Sequence, residues 1–241
     1  MTYGIFARVY DELMDHSLFP KWKDYTMNYL PKKGSKILEL ACGNGELAIL
    51  LKQAGYDIQG LDLSAEMLSI AKRKQEAAGL SFPLIQADMR DLSDFNLYDG
   101  IISFCDSLCY LPSPKDLIAV FNQVYDHLNE DGIFLFDVFT TDYIKKLDGY
   151  SYHDELPGTI FIWDSYQGEH DHSIEHELSF FEKLENGNYQ RHLEIHKERT
   201  YPLEFYIEEL KKLGFRNIEI SADFDEELAD NNIRWFFKAQ K

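Results

Sequence analysis

The feature that most constrains this chain is a repeated unit: a short strand, apolar on both faces, followed by an amphipathic helix. Ile37-Leu38-Glu39-Leu40 is the first such strand, a glycine turn carries Gly43 and Gly45, and residues 46–54 place Leu47, Leu50, Leu51 and Ala54 at helical spacing. Residues 56–61 form the second strand, Asp62 ends it, and Ser64 is positioned to cap a helix with Met67, Ile70 and Ala71 on one face. Residues 84–87 form a third strand closed by Asp88, residues 98–104 a fourth, and residues 133–139 a fifth. Between the last two, Pro114 opens a helix that turns Leu117, Val120, Phe121, Val124 and Leu128 inward. Strands that are apolar on both faces and alternate with helices predict an α/β fold: a mainly parallel, doubly wound sheet covered on both sides.

The pattern changes from about Thr141 to Arg199. Residues 159–166, 173–184 and 189–199 alternate apolar and polar side chains, with turn signals at Gln167-Gly168 and Asn186-Gly187, and predict an inserted antiparallel β meander. Helical spacing resumes at Pro202, with Gly214 as the stop, and residues 215–221 and 233–239 are close enough to pair antiparallel. The expected organisation of the 241 residues is a core made of 1–140 and 200–241 and an insert at 141–199. The first thirty residues are dense in aromatics, among them Tyr10, Trp22 and Tyr25, and predict helix and loop packed on that core.

Charge narrows the partners. The chain has 42 acids against 24 Lys and Arg, a formal net charge of −18, whereas nucleic acids and anionic membranes are held mainly by cationic side chains. Neither is expected as a partner. Three cysteines without a pairing framework fit reduced thiols, and with no secretory signal pattern at the N-terminus the expectation is cytoplasmic. Six of the eight histidines fall in the insert. His170, His172 and His176 share strand parity, but spacing on one strand is a poor basis for a metal site, and none is expected.

Three acids stand at strand ends. Glu39 interrupts an apolar strand two residues from its end, where a carboxylate needs a cation, donors or water. Asp62 is placed to accept the hydroxyls of a ribose. Asp88 followed by Met89 puts a polar acceptor beside an apolar side chain, as an adenine ring requires. All three fall at the crevice where open α/β sheets bind ligands. The spacing Gly43-x-Gly45-x-x-Ala48 taken alone also satisfies a loose dinucleotide fingerprint, so a nicotinamide-dependent oxidoreductase stays open on that feature.

Taken together, Glu39-Leu-Ala-Cys-Gly-Asn-Gly45, Gly60-Leu-Asp-Leu-Ser64 with Met67, and Gln86-Ala-Asp-Met-Arg90 resemble the successive cofactor motifs of class I S-adenosylmethionine-dependent methyltransferases. The resemblance covers residues 36–139, and the closing hairpin is similar to that family's reversed last strand, which implies a Rossmann-like seven-stranded sheet. It implies S-adenosyl-L-methionine as cofactor, with Gly43 and Gly45 beside its methionine part, Ala41 and Cys42 also among its binding residues, and Glu39 acting on its ammonium directly or through water. Asp62 would hold the ribose, Asp88 and Met89 would frame the adenine, the segment from Phe104 to Leu108 would floor the pocket, and Leu63 and Met67 would also belong to the cofactor site. The head Phe6-Ala-Arg-Val-Tyr-Asp11, with Lys23-Asp24-Tyr25, and the insert resemble amino-sugar N,N-dimethyltransferases. That narrower likeness implies a small-molecule acceptor, N-methylation, and Tyr10 and Tyr25 as an aromatic lid over the cofactor.

No residue is singled out as a catalytic base; Tyr10, Asp106 and the insert histidines are alternatives. Trp163, Tyr166, Phe180 and Phe181 are expected to line part of an acceptor pocket under the insert. A non-catalytic cofactor-binding protein with the insert as a partner surface is a third reading, and a homodimer is an open alternative for assembly.

Overall fold

The computed structural model describes residues 9, 11, 13–30, 33–224 and 227–241. In chain order the elements are helix α1 (Leu18–Tyr29), β1 (Lys36–Leu40), α2 (Glu46–Gln53), β2 (Asp57–Asp62), α3 (Ala65–Ala77), β3 (Leu84–Gln86) and β4 (Tyr98–Ser103). A 3-10 turn at Ser107–Tyr110 leads to α4 (Pro114–His127), β5 (Leu128–Phe139) and α5 (Thr141–Leu147). Four strands follow, β6 (Ser151–Leu156), β7 (Thr159–Gln167), β8 (Ser173–Lys183) and β9 (Tyr189–Arg199), and the described chain closes with α6 (Leu203–Leu213), β10 (Arg216–Ala222) and β11 (Arg234–Gln240).

The larger sheet has seven strands in the order β10-β11-β5-β4-β1-β2-β3. Strands β1 to β5 pair in parallel, whereas β11 runs antiparallel to both β5 and β10. The expected parallel sheet with a reversed last strand is therefore present. Pleating sorts the apolar strands onto two faces. Leu38, Leu40, Phe134, Phe136 and Phe237 meet α4 and α6 through Val120, Phe121, Tyr206 and Leu210. Ile37, Ile102, Leu135 and Phe236 meet α1 and α2 through Trp22, Tyr25, Leu47 and Leu51. Residues one apart in sequence thus feed opposite cores, which is why these strands carry no polar face.

Local signals set the helix starts. Ser64 accepts a hydrogen bond from the Met67 N–H at 3.1 Å, and Ser113 does the same for Asp116 at 3.3 Å just ahead of Pro114. Gly214, at φ 103°, stops α6 as expected. Helix α4 ends one residue early: Leu128 is already extended and begins β5, which carries a register shift before Gly100↔Ile133.

The insert forms a separate four-stranded antiparallel sheet in the order β6-β7-β8-β9. Two of its elements escape the sequence reading. Strand β6 is exposed along most of its length, so it has no apolar alternation to announce it, and α5 spans only seven residues. The inner face of this sheet buries Phe161, Leu178 and Phe180 with Val9 from the head.

Close approach of the glycine turn to α3 depends on the missing side chain at Gly45. This residue adopts φ 76°, and a Cβ there would lie 2.8 Å from the Cβ of Ala71. Gly45→Ala is expected to lower stability by about 1–3 kcal/mol through overpacking. Adding Ala71→Gly should recover part of that loss in chemical denaturation; no recovery would place the cost in backbone strain alone.

Candidate functional site

A cleft of about 540 Å³ opens above the carboxyl ends of β1 to β5 and is walled on its far side by β7, β8 and β9. The turn after β1 forms one lip. Ala41, Gly43 and Gly45 all adopt positive φ (53°, 51° and 76°), so the chain curls tightly between strand and helix. A Cβ on Gly43 would meet nothing within 4 Å, so this position opens onto free space. The turn is fastened to β2 twice: the Cys42 N–H donates to the Leu61 carbonyl at 2.9 Å, and the Gly43 N–H donates to Asp62 Oδ2 at 2.8 Å.

Glu39 lies at the bottom of this lip. It is 6% exposed, and its Oε2 has no hydrogen-bond partner. Loss of water, reinforced by Asp62 nearby, pushes its carboxyl up to about 8. Asp62 is also raised by burial, a shift opposed by the N–H groups of Ser64 and Gly43 that it accepts. Among the described residues these two neighbouring acids share the wall without a cation, so the wall is complementary to a positively charged or hydrogen-bond-donating ligand. The Cys42 thiol between them is held well above its ordinary value by burial and by both acids, which keeps it protonated and unreactive.

Asp88 and Met89 line the next part of the cleft. Arg90 forks over Asp88, with Nη2 2.6 Å from Oδ2, and reaches Asp116 through Nη1 at 2.7 Å. The hydrogen bonds from Arg90 hold the Asp88 carboxyl below its ordinary value, so it stays an acceptor. Leu63 is exposed on the rim, Met67 comes from the first turn of α3, and Phe104 lies under the α1 aromatics, with its ring 6.4 Å from Trp22.

Most of the residues singled out from sequence are brought together here: Glu39, Ala41, Cys42, Gly43, Asp62, Leu63, Met67, Asp88, Met89 and Phe104 all border the cleft. Two do not. Gly45 faces α3, where its lack of a Cβ serves packing. Tyr25, expected as part of a lid, is 3% exposed and packs against Tyr29, Phe104 and Phe236. An inward-facing position on α1 turns it into the core. Tyr10 lies outside the described residues. Its neighbour Asp11 is described and binds the head to the turn: Lys74 of α3 lies 2.9 Å from both Asp11 and Glu46.

A second charged group borders the cleft through Asp106 and Arg234, and of its members the sequence reading named only Asp106 as a candidate. Asp137 of β5 is fully buried, accepts from Trp22 Nε1 at 2.8 Å, and accepts from the Asp106 N–H at 2.7 Å. Asp106 in turn accepts from Arg234 Nη2 at 2.6 Å. These bonds hold Cys105 and Asp106 in left-handed backbone at φ 59° and 50°, an uncommon state for residues with a Cβ. Burial raises Asp106, and Arg234 only partly offsets it against Glu198 and Asp137. The clue in the sequence was Asp137 itself, an acid inside an apolar strand just like Glu39. Nothing in the sequence pairs it with Trp22 or Arg234.

On the insert wall, Phe161, Trp163, His176, Leu178, His196 and Glu198 face the cleft. Trp163 borders the cleft from β7. Phe180 is buried against Phe161, 4.9 Å between ring centres, and Tyr166 and Phe181 stand on the opposite side of their strands. Among the described residues, no three His, Cys, Asp or Glu side chains are gathered as a metal ion requires, and no helix is long and apolar enough to cross a membrane.

Residues 37–132 match the family described as a methyltransferase domain. The methyltransferase-family protein YqeM of Bacillus subtilis (strain 168) is 41% identical over 247 residues, which span 100% of this chain and 98% of YqeM. Among solved structures, an S-adenosylmethionine-dependent methyltransferase from Clostridium acetobutylicum superposes with a TM-score of 0.84 at 27% identity, covering 99% of this chain and 98% of its own. The sugar N-methyltransferase KedS8 from Streptoalloteichus shares the fold, insert included, with a TM-score of 0.79 at 22% identity, 100% of this chain and 93% of KedS8 being covered. A likeness that runs the whole length of the chain places this protein in the class I S-adenosylmethionine-dependent methyltransferases.

Proposed function

We propose that this chain binds S-adenosyl-L-methionine in the cleft and directs its methyl group to a small-molecule acceptor held under the insert. The observation that carries this reading is the buried, unpartnered Glu39 Oε2 beside Asp62 at the tips of adjacent strands. A carboxylate withdrawn from water is costly unless a ligand supplies the missing charge, and the ammonium of a methionine group does so. Gly43 leaves room beside it, Asp62 is placed for ribose hydroxyls, and ionised Asp88 with Met89 suits an adenine edge and face. When bound, the cofactor supplies a methyl carbon already activated by a sulfonium centre.

The chain's own work is then alignment and the exclusion of water. Phe104 and the α1 aromatics close the floor, and the β7–β9 wall covers the acceptor side. The full-length match to methyltransferases speaks against the nicotinamide-dependent alternative for the same glycine turn. Methyl transfer to a panel of amines, alcohols and carboxylates separates an active enzyme from a non-catalytic cofactor-binding protein.

Two expectations follow from the acids. Asp62→Ala should weaken binding of S-adenosylhomocysteine by about 1.5–3 kcal/mol, the scale of a charge-assisted hydrogen bond, as read by isothermal titration. Unchanged affinity would remove Asp62 from the ribose site. Glu39, raised to about 8, is mostly protonated at pH 6 and must ionise to hold an ammonium. Binding should therefore tighten by up to about tenfold per pH unit between 6 and 8, with a proton released. Glu39→Gln should flatten that profile; the same slope in the variant would assign it elsewhere. The free protein should show the converse linkage. Its Glu39 holds a proton more tightly folded than unfolded, so this group's contribution to stability falls as pH rises from about 4.5 to 8.

A further inference from the structure

The insert wall carries a second carboxylate with one oxygen that lacks a hydrogen-bond partner. Glu198 of β9 is 5% exposed and borders the cleft, and its Oε2 makes no hydrogen bond. Its other oxygen, Oε1, lies 3.5 Å from Nε2 of His176 on β8. The far side of that imidazole is fixed. Trp163 Nε1 donates to His176 Nδ1 at 3.0 Å, and Ser165 Oγ lies 2.7 Å from the same nitrogen. A ring that accepts at Nδ1 carries its proton on Nε2 when neutral, so His176 presents a donor to Oε1 and leaves Oε2 without one, on a residue that borders the cleft. The register of the sheet builds this arrangement: Ser165, His176 and His196 stand opposite one another across three strands, and Glu198 is two residues beyond His196 on the same face.

The surroundings decide which ligand this oxygen suits. Phe161, Trp163 and Leu178 make the wall apolar, and Tyr143 and Asp106 face it from the core. Arg234 is the cation at this end among the described lining residues, and it is committed to Asp106. Arg90, at the other end, is held by Asp88 and Asp116. An anionic acceptor would find two carboxylates and no uncommitted guanidinium. A cationic acceptor with an apolar body would find an unpaired charge and aromatic faces.

Building on the methyl-transfer reading above, we propose that Glu198, positioned by His176, binds a protonated amine on the acceptor and removes the proton that blocks its methylation. An ammonium nitrogen has no lone pair. One N–H bond must break, and the proton passes to Glu198 Oε2, leaving a neutral carboxyl and a neutral amine. The nitrogen lone pair then forms the N–C bond to the methyl carbon as the carbon–sulfur bond breaks, with that bond's electrons staying on sulfur. The positive charge moves from sulfur to the methylated nitrogen.

The test uses benzylamine, benzyl alcohol and benzoate as probes of matched shape, titrated into the full chain saturated with S-adenosylhomocysteine and followed by ligand-observed NMR. Benzylamine should bind at least tenfold tighter than the alcohol or the acid. Glu198→Gln should abolish that ranking while leaving S-adenosylhomocysteine affinity within about twofold. For His176, Gln retains a donor toward Glu198 and should keep much of the preference that Leu loses; equal loss in both would make the ring a packing element only. Equal or weaker binding of the amine in the wild type, or a preference that survives Glu198→Gln, overturns the proposal. If Glu198→Gln does not fold, Glu198→Asp, which keeps the charge, should retain the ranking, and the wild-type ranking still decides. Failure to bind S-adenosylhomocysteine would instead sink the cofactor reading, and the ranking in the free chain would then decide this one.

Discussion

The molecule is organised around a penalty: an acid on an interior strand, buried and, among the described residues, without a counter-ion. Glu39 sits between β2 and β4, opposite Gly60 and Ile102, where every other side chain of β1 beyond Lys36 is apolar. Desolvation there is a standing cost to the folded chain. The layers of helix that bury this strand also create that cost, and they do so at the one edge of the sheet where the backbone turns away and leaves a cavity. The cavity and the charge are two results of the same packing.

A second buried cluster sets the cleft's other corner. Asp137, Asp106, Arg234 and Trp22 come from four separated stretches of chain and fix one another by short hydrogen bonds. Removing one member would leave the rest as uncompensated buried charges, which is far costlier than the pair is favourable. Two consecutive residues with left-handed backbone are the price of carrying the chain across this corner. The reversed strand β11 brings Arg234 to that point, since Arg234 pairs with Phe139 at the end of β5. The family's strand reversal thus has a local electrostatic use here.

The fold was largely legible because its signals are local. Apolar strands, Ser64 and Ser113 caps and the Gly214 stop each act within a turn or two of themselves, and the acids at strand ends are tied to the topology that follows. What escaped was either solvent-exposed or long-range. Strand β6 has no buried face to impose alternation. Tyr25 looked like a lid residue only by likeness to the amino-sugar enzymes, whereas its place on α1 turns it inward. Trp22 meets Asp137 across 115 positions of sequence, a contact no spacing can express. Tyr166 and Phe181 were one residue out of phase with Trp163 and His176, and a one-residue offset on a strand reverses the face.

The tie between the head and the glycine turn is partly ionic: Asn44 of the turn donates a hydrogen bond to Asp11, and Lys74 adds two ion pairs. Lys74 divides its single charge between Asp11 and Glu46, both of which remain partly open to solvent. Such a clasp is screened by salt in a way that the buried aromatic contacts of α1 are not. Ionic strength therefore acts on the ionic part of this fastening without loosening the scaffold beneath it, so the head's attachment and the framework can answer to different solution conditions.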